Sequence, residues 1–109
     1  MENKEHILNT VKRIITEEVE KAGYKVESVY LFGSRARADY KEDSDWDFFV
    51  VINQNISFKD ERHLIAKIKK IMAELKIRND ILINSKNELN ENNNVGNIAY
   101  YALKYGVMV

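Results

Sequence analysis

The sequence predicts a small α/β fold, one sheet with helices packed mainly on one face. Two kinds of pattern carry that reading. Ile7, Leu8, Val11, Ile14, Ile15 and Val19 recur at three-to-four spacing, and Leu64, Ile65, Ile68, Ile71, Met72 and Leu75 repeat it later. Each set is the apolar stripe of an amphipathic helix. The run Phe48-Phe49-Val50-Val51-Ile52 is instead apolar at every position, as expected of a strand covered on both sides.

The first helix runs from about residue 4 to Ala22 and stops near Gly23. Val26 to Phe32 reads as strand one, followed at Gly33 by a turn or short helix. Asp45 or Trp46 to Ile52 is strand two. A helix from about Lys59 to Leu75 and a third strand, Arg78 to Ile83, come next. The segment from Glu88 to Tyr105 carries a further helical pattern through Val95, Ile98, Ala99, Ala102 and Leu103. Strands two and three fit a parallel crossover, but a helix of this length serves antiparallel pairing equally well. The sequence leaves both open.

A chain of 109 residues suits a single domain, 1–109, with one modest core. The absence of cysteine excludes disulfides and thiolate metal ligands. A formal net charge of zero gives no electrostatic reason for a nucleic-acid partner, so direct DNA binding is not expected. The charged start Met1-Glu2-Asn3-Lys4-Glu5-His6 and the lack of a run approaching roughly 20 apolar residues argue against a membrane span. The expected location is the cytoplasm.

The chemistry concentrates between residues 33 and 50. Gly33 and Ser34 stand at the exit of strand one, where glycine lets a ligand approach the backbone and serine offers a hydroxyl and an N–H. Arg35 and Arg37 flank Ala36, a spacing that lets Ala36 face inward while the guanidinium groups engage phosphate or carboxylates, although an ordinary surface turn with solvated arginines fits these residues as well. Asp45 and Asp47 lie two apart at the start of strand two, so a strand period of 2 puts both carboxylates on one face, with Trp46 and Phe48 on the other. Aspartate is a poor strand former. A pair beside an apolar run suggests shared oxygen ligands for a divalent ion of the Mg²⁺ type.

Asp80 heads Ile81-Leu82-Ile83 much as Asp47 heads Phe48-Phe49-Val50. It is a strand-entry aspartate, or a third carboxylate that binds metal or acts as general base. The other polar residues have simpler readings. Asp39 and Asp43 suit turn formation, and Asp60 suits a helix N-terminus. His6 and His63 lack metal-ligand spacing and read as solvated, as do Lys67, Lys69 and Lys70 on a helix face. Tyr101 and Tyr105 read as packing or interface residues.

Gly33-Ser34-Arg35-Ala36-Arg37, Ser44-Asp45-Trp46-Asp47-Phe48-Phe49-Val50 and Asp80 together resemble the minimal nucleotidyltransferases of the DNA polymerase beta superfamily. That family's pattern is Gly-Ser, about ten residues, Asp-x-Asp, and a third acidic residue on a following strand. The resemblance extends to the closing segment from Ile98 to Val109. One departure is Ala38, where many members have glycine, and it removes no chemical group.

The resemblance implies a polymerase beta-like fold with a mixed sheet. It implies that Gly33 and Ser34 hold nucleotide phosphates, and that Arg35 and Arg37 orient phosphates or a protein acceptor. Asp45, Asp47 and Asp80 would bind Mg²⁺, with ATP as the nucleotide donor. It also implies a partner, a helical HEPN-type toxin, with this chain as the antitoxin transferring AMP to a tyrosine hydroxyl. Two other functions fit the same residues: a silent antitoxin that neutralises its partner by binding alone, and transfer to a small molecule such as an aminoglycoside. The lack of room for an acceptor domain argues against the last.

Overall fold

A computed structural model describes residues 3–37, 41, 44–86 and 106–109. Its elements are α1 (Lys4–Lys21), β1 (Val26–Phe32), α2 (Ser34–Arg37), β2 (Trp46–Ile52), α3 (Phe58–Glu74), β3 (Asn79–Ser85) and β4 (Val107–Met108). The expected helix over 88–105, with Tyr101 and Tyr105, lies outside the described residues, as do Asp39 and Asp43.

Both long helices begin at side-chain caps. Asn3 Oδ1 accepts from the His6 N–H at 3.1 Å, and Ser57 Oγ accepts from the Asp60 N–H at 3.1 Å. Each satisfies one of the first-turn donors that a helix leaves without a partner. Asp60 therefore stands in the first turn of α3, where the helix dipole favours an acid. Past Ala22, Gly23 takes φ +94°, a left-handed exit in which glycine is unstrained.

The sheet order is β3-β2-β1-β4. β1 pairs antiparallel with both β2 and β4, whereas β2 and β3 are parallel. The sheet is thus mixed, and the pairing that the sequence left open is parallel. β3 continues two residues beyond its expected end, because Asn84 and Ser85 stay in register with Val51 and Ile52. The two-residue β4 was not anticipated. It is too short for a period-2 signal, and its pairing with Tyr30 and Leu31 is visible only in three dimensions.

Alternation along β2 divides the molecule. Trp46, Phe48, Val50 and Ile52 join Val29, Leu31, Ile81 and Ile83 in the main core beneath α1 and α3. Phe49 and Val51 form a second, smaller cluster with Tyr30, Phe32 and Leu82. Both sets are buried, which is why the run shows no alternation in sequence. Among the described residues the two long helices cover one face, as expected.

Candidate active site

β2 is a central strand, and its first residues stand at the same end of the sheet as the β1–α2 turn. Phe32 lies opposite Asp47 in the antiparallel register. The next residue, Gly33, has φ +73°, and a Cβ built there would overlap Asp47 Oδ2 and lie 3.1 Å from its Cγ. Glycine is required twice over, by the left-handed backbone and by the carboxylate seated against it. Ser34 then opens the short α2. The turn and Asp47 are thus one unit, although 14 positions apart in sequence.

On the other side of β2, Asp47 is in register with Asp80 of β3. Asp47 shares its parity with Phe49 and Val51, and Asp80 shares its parity with Leu82, so both side chains belong to the face away from α1 and α3. This sets Asp80 in register beside Asp47, which is itself seated against the Gly33 turn.

Asp45 differs from expectation. It precedes β2 by one residue, so the period-2 argument does not extend to it. Its Oδ1 is 3.2 Å from Arg78 Nε. Asp80 has a cation too: Lys69 Nζ lies 3.5 Å from Asp80 Oδ1 and donates to the Asn79 carbonyl at 3.1 Å. Lys69 is therefore a bonded residue at the rim of the site, not the solvated helix lysine its sequence context suggests. Lys67 likewise pairs with Glu18. Among the described residues no three acidic or histidine side chains converge to hold a metal ion. The expected three-carboxylate cluster is not assembled, because Asp45 and Asp80 are each drawn toward a cation.

The donor set nevertheless fits a hard divalent ion. All donors are carboxylate oxygens, Asp47 and Asp80 sit on adjacent strands and one face, and the paired acids are accessible. Asp45 and Asp80 side chains are 48% and 62% exposed. Ion pairs so exposed contribute about 0–1 kcal/mol each, little resistance to exchange for a bound cation.

Arg35 is the second departure. The expected phosphate contact would need a guanidinium facing the ligand, but Arg35 is 1% exposed. Its Nε and Nη2 donate to the Ser44 carbonyl at 3.2 and 2.9 Å. The guanidinium also lies 4.3 Å from the Trp46 ring centroid, a cation–π contact. In this arrangement Arg35 ties α2 to the residues just before Asp45 and Asp47. Arg37 ends α2. Arg78 and Lys69 are the residues that sequence reasoning missed. A signal existed, since Arg78 precedes Asp80 as Asp45 precedes Asp47, but only the parallel register makes them neighbours.

A mixed sheet with helices on one face, carrying a glycine turn closed on Asp47 and an aspartate beside it, defines a nucleotidyltransferase fold. The family model described as Polymerase beta, Nucleotidyltransferase matches residues 9–106. The chain belongs to that family. A curated relative, "Putative protein adenylyltransferase MJ0141" of Methanocaldococcus jannaschii, is 39% identical over 59 residues. That alignment spans 54% of this chain and 56% of the relative, so the chain matches only about half the relative's length. A structure described as a "putative minimal nucleotidyltransferase" superposes with TM-score 0.60 at 20% identity, covering 97% of this chain and 95% of the other. A chain from a crystal structure of a toxin–antitoxin with AMP-PNP gives TM-score 0.57 at 17% identity, covering 88% and 69%. At these identities the structural likenesses concern the fold.

Proposed function

We propose that the chain transfers AMP from ATP to a hydroxyl, a tyrosine of a helical HEPN-type toxin, and so acts as that toxin's antitoxin. The observation carrying this is the seating of Asp47 against Gly33 with Asp80 beside it in register. That arrangement sets carboxylates next to an open backbone turn, as phosphoryl transfer needs. The relative's description as a protein adenylyltransferase and the toxin–antitoxin neighbour with its nucleotide analogue support donor and partner. No helix among the described residues is long and apolar enough to cross a membrane.

The Gly33 and Ser34 backbone and the Ser34 hydroxyl hold the triphosphate, with Arg37 assisting. Arg35 acts from beneath by fixing Ser44, and through it the approach to Asp45 and Asp47. Asp47, Asp80 and Asp45, once released from Arg78, would hold Mg²⁺. When bound, the ion lowers the pKa of the attacking hydroxyl and offsets charge on the triphosphate. The acceptor oxygen bonds to the α-phosphorus as the bond to the bridging oxygen breaks, and pyrophosphate leaves with that electron pair. Asp80, the more exposed acid, receives the hydroxyl proton.

One observation favours a second reading. The cations on Asp45 and Asp80 also suit a silent antitoxin that works by complex formation. Co-expression with the helical partner, followed by size-exclusion chromatography and intact-mass spectrometry in ATP and Mg²⁺, separates the two. Transfer adds the mass of an AMP unit to the partner, lost on Asp47→Asn substitution. A complex whose partner never gains mass rejects the enzyme reading.

A further inference from the structure

A concavity of about 360 Å³ lies on the helix side of the sheet, between the start of α1, the residues before β2 and the α3–β3 turn. Trp46 and Arg35 line it, with Ile7 and Ile77 as apolar walls, Lys76 and Arg78 bringing positive charge and His6 an imidazole. No carboxylate is among the described residues lining it. A volume of this size suits a small organic ligand, with apolar walls and a few charged groups to orient it.

The backbone adds an independent sign. Lys76 has φ +60°, the only non-glycine residue with positive φ among those described. It directly follows the α3 C-cap Leu75, where a left-handed residue is usually glycine. A lysine in a backbone conformation that glycine adopts without strain points to a use for its side chain. Lys76 lines both this cavity and the neighbouring hollow that contains Asp45 and Lys69.

From these observations we infer that the cavity is a binding site for a small organic anion with a flat apolar body. The acid group meets Lys76 and Arg78 with the His6 imidazole beside them, and the body rests against Ile7 and Ile77, above the buried Arg35–Trp46 pair. Arg78 is shared, because its Nε also lies 3.2 Å from Asp45 Oδ1. Anion and Asp45 therefore compete for one guanidinium. The site stands independently of the transfer reaction, since none of its contacts needs metal or nucleotide.

Trp46 is the only tryptophan in the chain, so its indole N–H resonance reports on the cavity without ambiguity. The ¹⁵N-labelled protein is titrated with phenyl phosphate, benzyl alcohol and inorganic phosphate, without Mg²⁺ or ATP. Phenyl phosphate should shift the indole resonance saturably, at least about fivefold more tightly than either half-probe. Lys76→Gly should weaken binding about fivefold while its melting temperature stays equal or rises, because glycine relieves the left-handed strain. Asp45→Asn should tighten binding by freeing Arg78, and Asp47→Asn, on the other face, should leave it unchanged. The site is rejected by no saturable shift up to about 10 mM probe, by equal binding of benzyl alcohol, or by wild-type affinity in folded Lys76→Gly.

Discussion

Two acid–base clusters in this chain use the same residue types to opposite ends. Between the long helices Glu18 is 5% exposed and carries two lysines, Lys21 at 3.2 Å and Lys67 at 3.3 Å. At the carboxylate end of the sheet Asp45 and Asp80 are largely open to solvent and have one cation each. A buried acid with two partners fixes α1 to α3 through Lys67, because removing a lysine leaves the buried Glu18 charge short of a partner. An exposed acid with one partner can be released at little cost. The difference teaches that burial, more than pairing, separates a structural carboxylate from one able to change ligands.

The sharpest way to break the comparison is at Asp47, which belongs to the proposed site and sits in register with Asp80. Asp47→Asn should lower AMP transfer at least about a thousandfold, roughly 4 kcal/mol of lost charge stabilisation. Stability should hold or rise, since like charges on adjacent strands repel. Quench-flow or endpoint labelling with radioactive ATP, beside thermal unfolding, checks both halves. Normal labelling by a folded variant refutes the role.

Gly33→Ala should come next in size. The new methyl collides with the Asp47 carboxylate, and alanine in the left-handed region costs about 1–2 kcal/mol. Displacing the carboxylate should reduce transfer by about a hundredfold. A crystal structure of the variant with Asp47 unmoved and activity retained would contradict the close fit as the reason for glycine.

At the other cluster the effects should fall on stability alone. Burial pushes the Glu18 carboxyl up, but the hydrogen bond from the Lys21 ammonium and the ion pair with Lys67 together outweigh burial and hold it below the ordinary 4.5. A lowered folded value means that the unfolded chain binds the proton first. The contribution is therefore complete above about pH 4.5 and is lost as pH falls through the depressed folded value. Glu18→Gln should cost about 1–2 kcal/mol at neutral pH, as both lysines are mostly exposed and rehydrate. Urea titrations across pH 3–7 should show the variant and wild type converging on the acid side. Transfer per folded molecule should not change.

Legibility in the sequence followed the same division. α1, β1, β2 and α3 were readable to within a residue or so, because each carries its own period and each ends at a local cap or turn. The juxtaposition of Asp47, Asp80 and Gly33 was readable because their types are out of place in, or just before, apolar strands. What stayed hidden was set by partners distant in sequence. Parallel pairing depended on the path of α3 and not on the composition of β3. Arg35 looked like a phosphate ligand because nothing local says that Trp46 lies beneath it and the Ser44 carbonyl beside it. Asp45 looked equivalent to Asp47 until the strand began one residue later and Arg78 stood opposite.

The smallest expected effect tests the claim that exposed pairs yield easily. Lys69 Nζ is 3.5 Å from Asp80 Oδ1, and their side chains are 42% and 62% exposed. Lys69→Gln should therefore change stability by less than about 1 kcal/mol. It should also remove a competitor for the incoming ion. One unit charge at about 4 Å in water is worth about 1 kcal/mol, so Mg²⁺ should bind up to about fivefold more tightly. Isothermal titration of wild type and variant with MgCl₂ measures this without reference to catalysis. The gap should close as the ionic strength rises, because added salt screens an exposed charge within about 10 Å at 0.1 M. If Lys69→Gln instead weakens Mg²⁺ binding at low salt, Lys69 is holding Asp80 in its binding position, and the lysine belongs with the Glu18 cluster as a structural partner.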